Sequence, residues 1–502
     1  MTIIPFGDWA PDLAALGNPG ALVAKNCLPQ GSGYGRFPSL EAYAGPSALP
    51  ATVIGGFVAA DKDGNSYNYA ATSGGSNAGK LYVLSATAWV DRSGNGKDGT
   101  SGYSVSDRET WEFAKWGERV LAVCIDEPMQ QIAFGGTAFA NAITSTRTPR
   151  ARHIAVVRDF VVLGNIDDVG NDGLVPNRVW WSGIDDYATF EEGGASSQSD
   201  FQDLANGGKV QKIVSGEVGI VFCESSIYRM TYVGPPLFFS FDEVETNRGV
   251  AIPGSVARAG GTTFFVDHDG LYAWTGEQSV SLGTNRFDRA LMADIDLHYA
   301  HRVSSTIWHS RKLYLMAYPS IAAPGGMPDR IFVYDWANRK ASIAELSVDW
   351  LTSMQPASAD LDSPDPSEPL DIEGASLDDV SHISNVPSVA AFNQSHVLCT
   401  FTGPALTATI DTGEQQLVPG YGRAVLVGAR PLVDGAAAVT VQPFMRNTQS
   451  ELPAAGDIIA MNALGNCPLR ANSRFVRFRA TIAGDFAAAL GIEPDFRPAG
   501  GR

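Results

Sequence analysis

From residue 51 to about residue 415, short runs of alternating apolar and polar residues return repeatedly, separated by turns rich in Gly, Asp and Asn. The clearest copy runs Ser255-Val256-Ala257-Arg258, Gly260-Gly261, Thr262-Thr263-Phe264-Phe265-Val266, the turn Asp267-His268-Asp269-Gly270, and Leu271-Tyr272-Ala273-Trp274. Two-residue alternation among β-branched and aromatic residues predicts strands, and the turn residues predict hairpins. Such a hairpin has one apolar face and two open edges, so it is marginal alone and must stack or close with others. The pattern therefore predicts an all-β chain with a β-propeller of six or seven blades over residues 51–415.

Successive blades are expected from Val53-Ile54, Tyr67 to Ala70, Leu81 to Leu84 and Trp89-Val90; then Thr110 to Phe113, Val120 to Cys124 and Gln131 to Phe134; then His153 to Val157, Phe160 to Leu163 and Arg178 to Trp181. Val210 to Val214, Gly219 to Phe222 and Ile227 to Met230 follow, and then the copy ending at Trp274. The last are Val303 to Trp308 with Lys312 to Met316 and Ile331 to Trp336, and Ser388 to Ile410. The spacing wanders around roughly 45 residues, within the range of propeller repeats.

The flanks read differently. Residues 1–50 carry Pro5, Pro11, Pro19, Pro29, Pro38, Pro46 and Pro50, which predicts an extended N-terminal arm pinned by Trp9, Leu13, Tyr34 and Phe37. Phe287, Leu291 and Ile295 recur at four-residue spacing and predict one short helix between Asn285 and Leu297. Residues 356–381 form an acidic insertion among prolines and serines, expected as a loop. From 416 to 502 the strands Ala424 to Val427, Ala438 to Val441 and Phe475 to Ala480 predict a C-terminal β-sandwich-like domain.

Composition narrows the class. The 53 Gly and 29 Pro are spread through the chain, which suits many turns. No run of about eighteen apolar residues occurs, so no membrane span is expected, and the first residues lack the regions of a signal peptide, so synthesis in a cytoplasm is expected. Five cysteines, Cys27, Cys124, Cys223, Cys399 and Cys467, are odd in number and far apart, which predicts buried thiols. The net charge of −18, from 54 acids against 36 bases, disfavours binding that depends on neutralising phosphates. On composition alone it reads first as serving solubility, and it also suits a surface past which DNA slides without sticking.

Candidate chemistry is sparse. Asp61-Lys62-Asp63-Gly64-Asn65 and Asp267-His268-Asp269-Gly270 alternate carboxylates before a glycine as calcium loops do, but position twelve is Thr72 or Gln278 where a Glu is required. Hairpin turns explain both. His298 and His301 with Asp294 and Asp296 have metal-ligand residue types, but no second cluster completes a set. Gly94-Asn95-Gly96-Lys97-Asp98-Gly99-Thr100 lacks the phosphate-loop order. Trp180-Trp181 and Tyr334-Asp335-Trp336 have stacking surfaces but read as packing between blades. The reading is no enzyme, with no catalytic, cofactor-binding or metal residues and no cofactor.

Three sets of residues resemble the tail hub or nozzle proteins of short-tailed bacteriophages, also called packaged-DNA stabilisation or tail tubular proteins. The middle set runs Val250-Ala251-Ile252-Pro253-Gly254-Ser255-Val256-Ala257 through Trp274 to Ser281-Leu282-Gly283. The first set is Pro11-Asp12-Leu13, Gly17-Asn18-Pro19-Gly20, Ala24 to Pro29 and Gly33 to Leu40. The last is Arg474 to Ala480, Ala487 to Ile492 and Pro498 to Arg502. The insertion at 356–381 and Cys27 depart from that pattern. The resemblance implies a virion protein forming a homo-oligomeric ring, a hexamer, below portal and adaptor proteins. Its channel would retain packaged double-stranded DNA without sequence-specific binding and conduct its ejection, with tail fibres or spikes attached. The rival readings are a carbohydrate-binding or glycoside-cleaving propeller, for which only a degenerate sialidase-like box exists at Asp267 to Trp274, and a plain scaffold propeller.

Overall fold

The computed structural model describes residues 3–85, 88–193, 196–355, 387–420, 422–435 and 437–499. The fold is all-β, about 55% strand and 5% helix, in many small antiparallel sheets. The acidic insertion at 356–381 lies outside the described residues.

Seven runs of four antiparallel strands follow one another. The first unit is Val53–Ala60, Ser66–Thr72, Leu81–Ser85 and Ala88–Asp91. The second is Glu112–Trp116, Arg119–Cys124, Glu127–Ala133 and Ala140–Asn141. The third is Arg150–Val157, Phe160–Asp168, Gly173–Trp181 and Asp200–Asp203. The fourth is Val210–Val214, Gly219–Cys223, Ser226–Gly234 and Phe238–Thr246. The fifth is Ala257–Ala259, Thr262–Asp267, Gly270–Trp274 and Ser279–Ser281. The sixth is Ser304–Trp308, Leu313–Tyr318, Arg330–Asp335 and Lys340–Ala344. The seventh has Val348–Met354, Ser388–Asn393 and Leu398–Thr400, and takes its fourth strand, Glu41–Ala42, from the start of the chain.

Middle strands are apolar on both faces because each unit is covered on both sides. Leu313–Tyr318 and Gly270–Trp274 are buried at every position, which one-sided sheets do not require. Each neighbouring pair of units shares an apolar cluster. Tyr69 and Phe113 join the first to the second, Leu121 and Trp180 the second to the third, and Trp181 and Val221 the third to the fourth. Phe222 and Phe265 join the fourth to the fifth, Phe264 and Tyr314 the fifth to the sixth, and Val333 and Leu351 the sixth to the seventh. Ala70 and Tyr82 of the first unit also share a cluster with Ala390 and Phe392 of the seventh.

The chain ends are woven together. Ala21–Lys25 pairs with Ala408–Thr412, which pairs with Phe475–Ala483 and through it with Ala438–Arg446. A parallel bridge between Lys25 and Ile343 joins these strands to the sixth unit as one ten-stranded sheet. A second sheet holds Cys27–Pro29, Tyr34–Arg36, Phe486–Ala499, Arg423–Gly435 and Ala471–Ser473, with Ile4–Pro5 also paired to Phe486–Ala499.

Several sequence expectations change here. The first fifty residues, expected as an extended arm, supply strands to three sheets, and prolines at strand ends leave the intervening hydrogen bonds free to pair. Trp9, Tyr34 and Phe37 are buried as expected, whereas Leu13 is 38% exposed. Ala408–Thr412, expected within the repeated part, pairs with C-terminal strands. The helix spans only Asp288–Asp294, with Phe287, Leu291 and Ile295 all buried. Its first N–H groups are held from afar, since Arg289 N and Ala290 N donate to the Asp12 carboxylate at 2.8 and 3.0 Å. Asp288 packs against Gly270 and Gly283, where any Cβ would lie within 2.2 Å of its carboxyl atoms.

Candidate functional site

The first strand of each unit reaches one shared cavity of about 520 Å³. Phe57, Glu112, Ile154, Lys212, Thr306 and Thr352 stand for six of the seven contributors. The fifth adds Arg258. Hydroxyls here tie units together: Leu351 N donates to Ser304 Oγ at 2.9 Å, Val156 N to Ser215 Oγ at 3.1 Å, and Thr306 and Ser353 hydroxyls lie 3.1 Å apart.

Glu112 is the hub of the charged groups. Its Oε2 lies 3.0 Å from His153 Nδ1 and its Oε1 3.0 Å from Lys212 Nζ, so one carboxylate binds the second, third and fourth units together. Burial works to raise the Glu112 carboxyl, but the Lys212 ammonium and the His153 ring outweigh it and hold the group below the usual glutamate range. Nearby, Glu109 takes Arg152 at 2.9 and 2.6 Å, linking the approach to the second unit with the third.

A smaller cavity of about 110 Å³ borders the same strands, with Trp350 on both linings. Asp349, its side chain fully buried, meets His396 Nδ1 through Oδ2, while its Oδ1 has no hydrogen-bond partner among the described residues. Burial pushes its carboxyl upward, opposed by the His396 contact.

Chemically, the large cavity offers one carboxylate, Glu112, already engaged by two bases. The common glycosidase arrangement sets two carboxyl groups on either side of the scissile bond, and this lining shows one among the described residues. The lining supplies adhesion between units and a polar wall.

Sequence candidates fall mostly into structural roles. Asp61 accepts N–H bonds from Asp63 and Asn65 at 2.9 and 2.8 Å and the Asn65 side chain at 2.9 Å, closing its turn on itself. Asp267 and Asp269 both take Arg248 Nη1, at 2.7 and 2.8 Å. Asp294 accepts from Tyr318 Oη at 2.8 Å and Arg330 Nη1 at 2.6 Å, while Asp296 accepts the His298 backbone N–H at 3.0 Å. His301 is held below the usual histidine range by burial and by Arg302 and Arg108. Among the described residues no three His, Cys, Asp or Glu are grouped to hold a metal ion.

The loop Gly94 to Thr100 does cradle an anion, but it is the chain's own: Lys97 N and Ser104 N donate to the buried Glu127 carboxylate at 2.7 and 2.8 Å. Trp180 and Trp181 are buried on opposite faces of the third unit, and their indole N–H groups donate to Glu191 O and Gln198 O at 3.3 and 2.9 Å. Tyr334 is buried, and Trp336 packs 5.5 Å from the Phe264 ring. All five cysteines are buried and free. Sequence reasoning missed the Glu112–His153–Lys212 group. Charged residues recur in these first strands, as Lys115, Arg150 and Arg152 show, so no local signal singled out the three.

Compared with known proteins, the chain matches no family model and no curated protein. A crystal structure of the computationally designed Ika8 protein is similar at 9% identity with a TM-score of 0.36, over 72% of this chain and 98% of that one. That similarity is too slight to carry an argument.

Proposed function

We propose that this chain is a structural subunit of a bacteriophage tail, a hub or nozzle built as a seven-bladed β-propeller joined to a C-terminal sandwich. The seventh unit sharing an apolar cluster with the first supports the closed propeller. One observation carries the functional reading. The three sets of residues that resemble the tail hub family, far apart in sequence, all feed a single apolar cluster: Ala24 and Tyr34 from the first, Ile252, Phe264 and Leu271 from the middle, and Val476, Phe478, Ala489 and Ile492 from the last.

The conduit lies between copies and not within one chain. A 520 Å³ cavity spanned by the Glu112–Lys212 bridge has the volume of a small-ligand pocket. A duplex whose major groove alone is about 12 Å wide cannot thread it. A closed ring of six copies through a heterologous interface supplies the larger passage. The excess of acids keeps duplex DNA from adhering to its wall. Portal, adaptor and fibre or spike proteins are the expected neighbours in the virion.

Mass photometry of the purified chain, followed by its addition to tailless particles, tests the reading. The expected result is an assembly of six chains of 53.3 kDa that restores infectivity. A stable monomer that never joins particles overturns it. Carbohydrate binding is the second reading, favoured by the half-buried Trp350 beside the hydroxyls of the cavity, and a glycan array separates the two.

A further inference from the structure

Beside the apolar cluster that the fourth and fifth units share, polar contacts hold them at two places and a groove opens at the surface. At one end Arg258 Nε donates to Gly260 O at 2.7 Å and Nη1 to Ser215 O across the interface. At the other, Ser279 N and Oγ donate to the Glu245 carboxylate at 2.6 and 2.5 Å. Between them the first strands Val210–Val214 and Ala257–Ala259 approach least of any neighbouring pair. Gly216, Gly261 and Gly276 line the gap and carry no side chain to fill it.

The result is a groove of about 380 Å³, within the size range of small-ligand sites. Its walls are mainly apolar, from Val214, Val218, Ile220 and Trp274. Two guanidinium groups border it, Arg229 and Arg258. Arg258 is spent on backbone carbonyls and has no carboxylate partner among the described residues. The Arg229 side chain is exposed and makes no hydrogen bond, ion pair or ring contact among them, with Asp242 opposite it on the neighbouring strand. Glu217, also on the rim, is 3.1 Å from Arg158 and so already paired. Trp274 is 2% exposed, and its indole N–H has no acceptor among the described residues.

A chain with 18 more acids than bases has carboxylates to spare, yet neither guanidinium is in an ion pair among the described residues. We propose that this groove binds a small amphipathic carboxylate, with the apolar part against Val218 and Ile220 and the carboxylate on Arg229, assisted by Arg258. A charge-assisted bond to a guanidinium supplies the selectivity, and displaced water the rest. The site is separate from the shared cavity that the proposed function rests on, meeting it only at Arg258.

Isothermal titration calorimetry of the full chain with 4-phenylbutyrate, and with 4-phenylbutanol as the uncharged counterpart, tests this. The carboxylate is expected to bind one per chain, roughly tenfold tighter than the alcohol, and Arg229→Ala to remove that advantage. Because Arg229 is exposed and unpaired, the variant retains the parent's thermal transition. Val218→Asp is a second probe, expected to abolish binding of both compounds. Equal affinity for acid and alcohol, unchanged affinity in Arg229→Ala, or no heat up to about 10 mM each overturns the proposal.

Discussion

The third unit and the woven chain ends solve the same problem in opposite ways. In the third unit all four strands lie between Arg150 and Asp203, and every pairing joins consecutive strands. At the chain ends Ile4 pairs with Ile492, Tyr34 with Ala489 and Val23 with Asp411. Local hairpins lose little loop entropy on closing, whereas end-to-end pairings depend on the apolar cluster they bury together. The repeated region thus draws its order from turns, and the junction from a core assembled out of remote pieces.

The largest test removes residues 1–50. Three sheets lose strands at once, so the truncated chain is expected to aggregate or to lose its cooperative transition, read by size exclusion and circular dichroism. A soluble product with an unchanged midpoint would show the repeated units to be self-sufficient and the contrast false. Next is Trp9→Ala. Its ring stacks on Phe287 at 5.8 Å and is 6% exposed, and loss of such a side chain costs about 3–5 kcal/mol in denaturant unfolding.

Within the repeated region Glu112→Gln is expected to cost less, about 1–3 kcal/mol at pH 7, by loosening the tie among three units. The folded carboxyl lies below its unfolded range, so its contribution is present above the unfolded pKa and fades as pH falls through the lower folded value. The wild-type advantage over the variant should therefore shrink on acidification. An advantage independent of pH would refute an ionic role for Glu112.

Asp288→Asn, the smallest, runs the other way. Burial, with a lesser push from Asp12 and Asp269, raises this carboxyl from 3.8 to about 6. The folded state therefore holds its proton more tightly than the unfolded chain does, and stability falls as pH rises through that interval. An uncharged amide avoids the loss, so the variant is expected to gain on the order of 1 kcal/mol at pH 7.5 and nothing near pH 3. Equal melting of both proteins across that range would show that Asp288 carries no buried charge.

This contrast also sets what the sequence discloses. Hairpins such as Thr262–Asp267 with Gly270–Trp274 announce themselves through alternation and a turn that needs Gly270 at φ +147°. The strand Phe486–Ala499 does not: four alanines, a glycine and two prolines give it low strand propensity, and it exists because Arg423–Gly435 pairs along its length through several register shifts. Leu13 looked like an anchor by type alone, but anchoring fell to Trp9 and Tyr34, whose partners lie hundreds of residues away. Glu112, His153 and Lys212 belong to different units, so no local motif could unite them. Asp61, by contrast, was legible as a turn residue because its partners Asp63 and Asn65 are near neighbours in sequence.

Glu41–Ala42 completes a sheet whose other strands end at Thr400. On a ribosome making about 5–20 residues each second, that stretch emerges early and waits roughly 20 to 70 seconds for its mate. Throughout the wait its edge is open to any passing strand, including the same stretch of a neighbouring nascent chain. The pace of translation thereby becomes part of how this molecule is closed, and slowing it lengthens the interval in which two unfinished chains can exchange their beginnings.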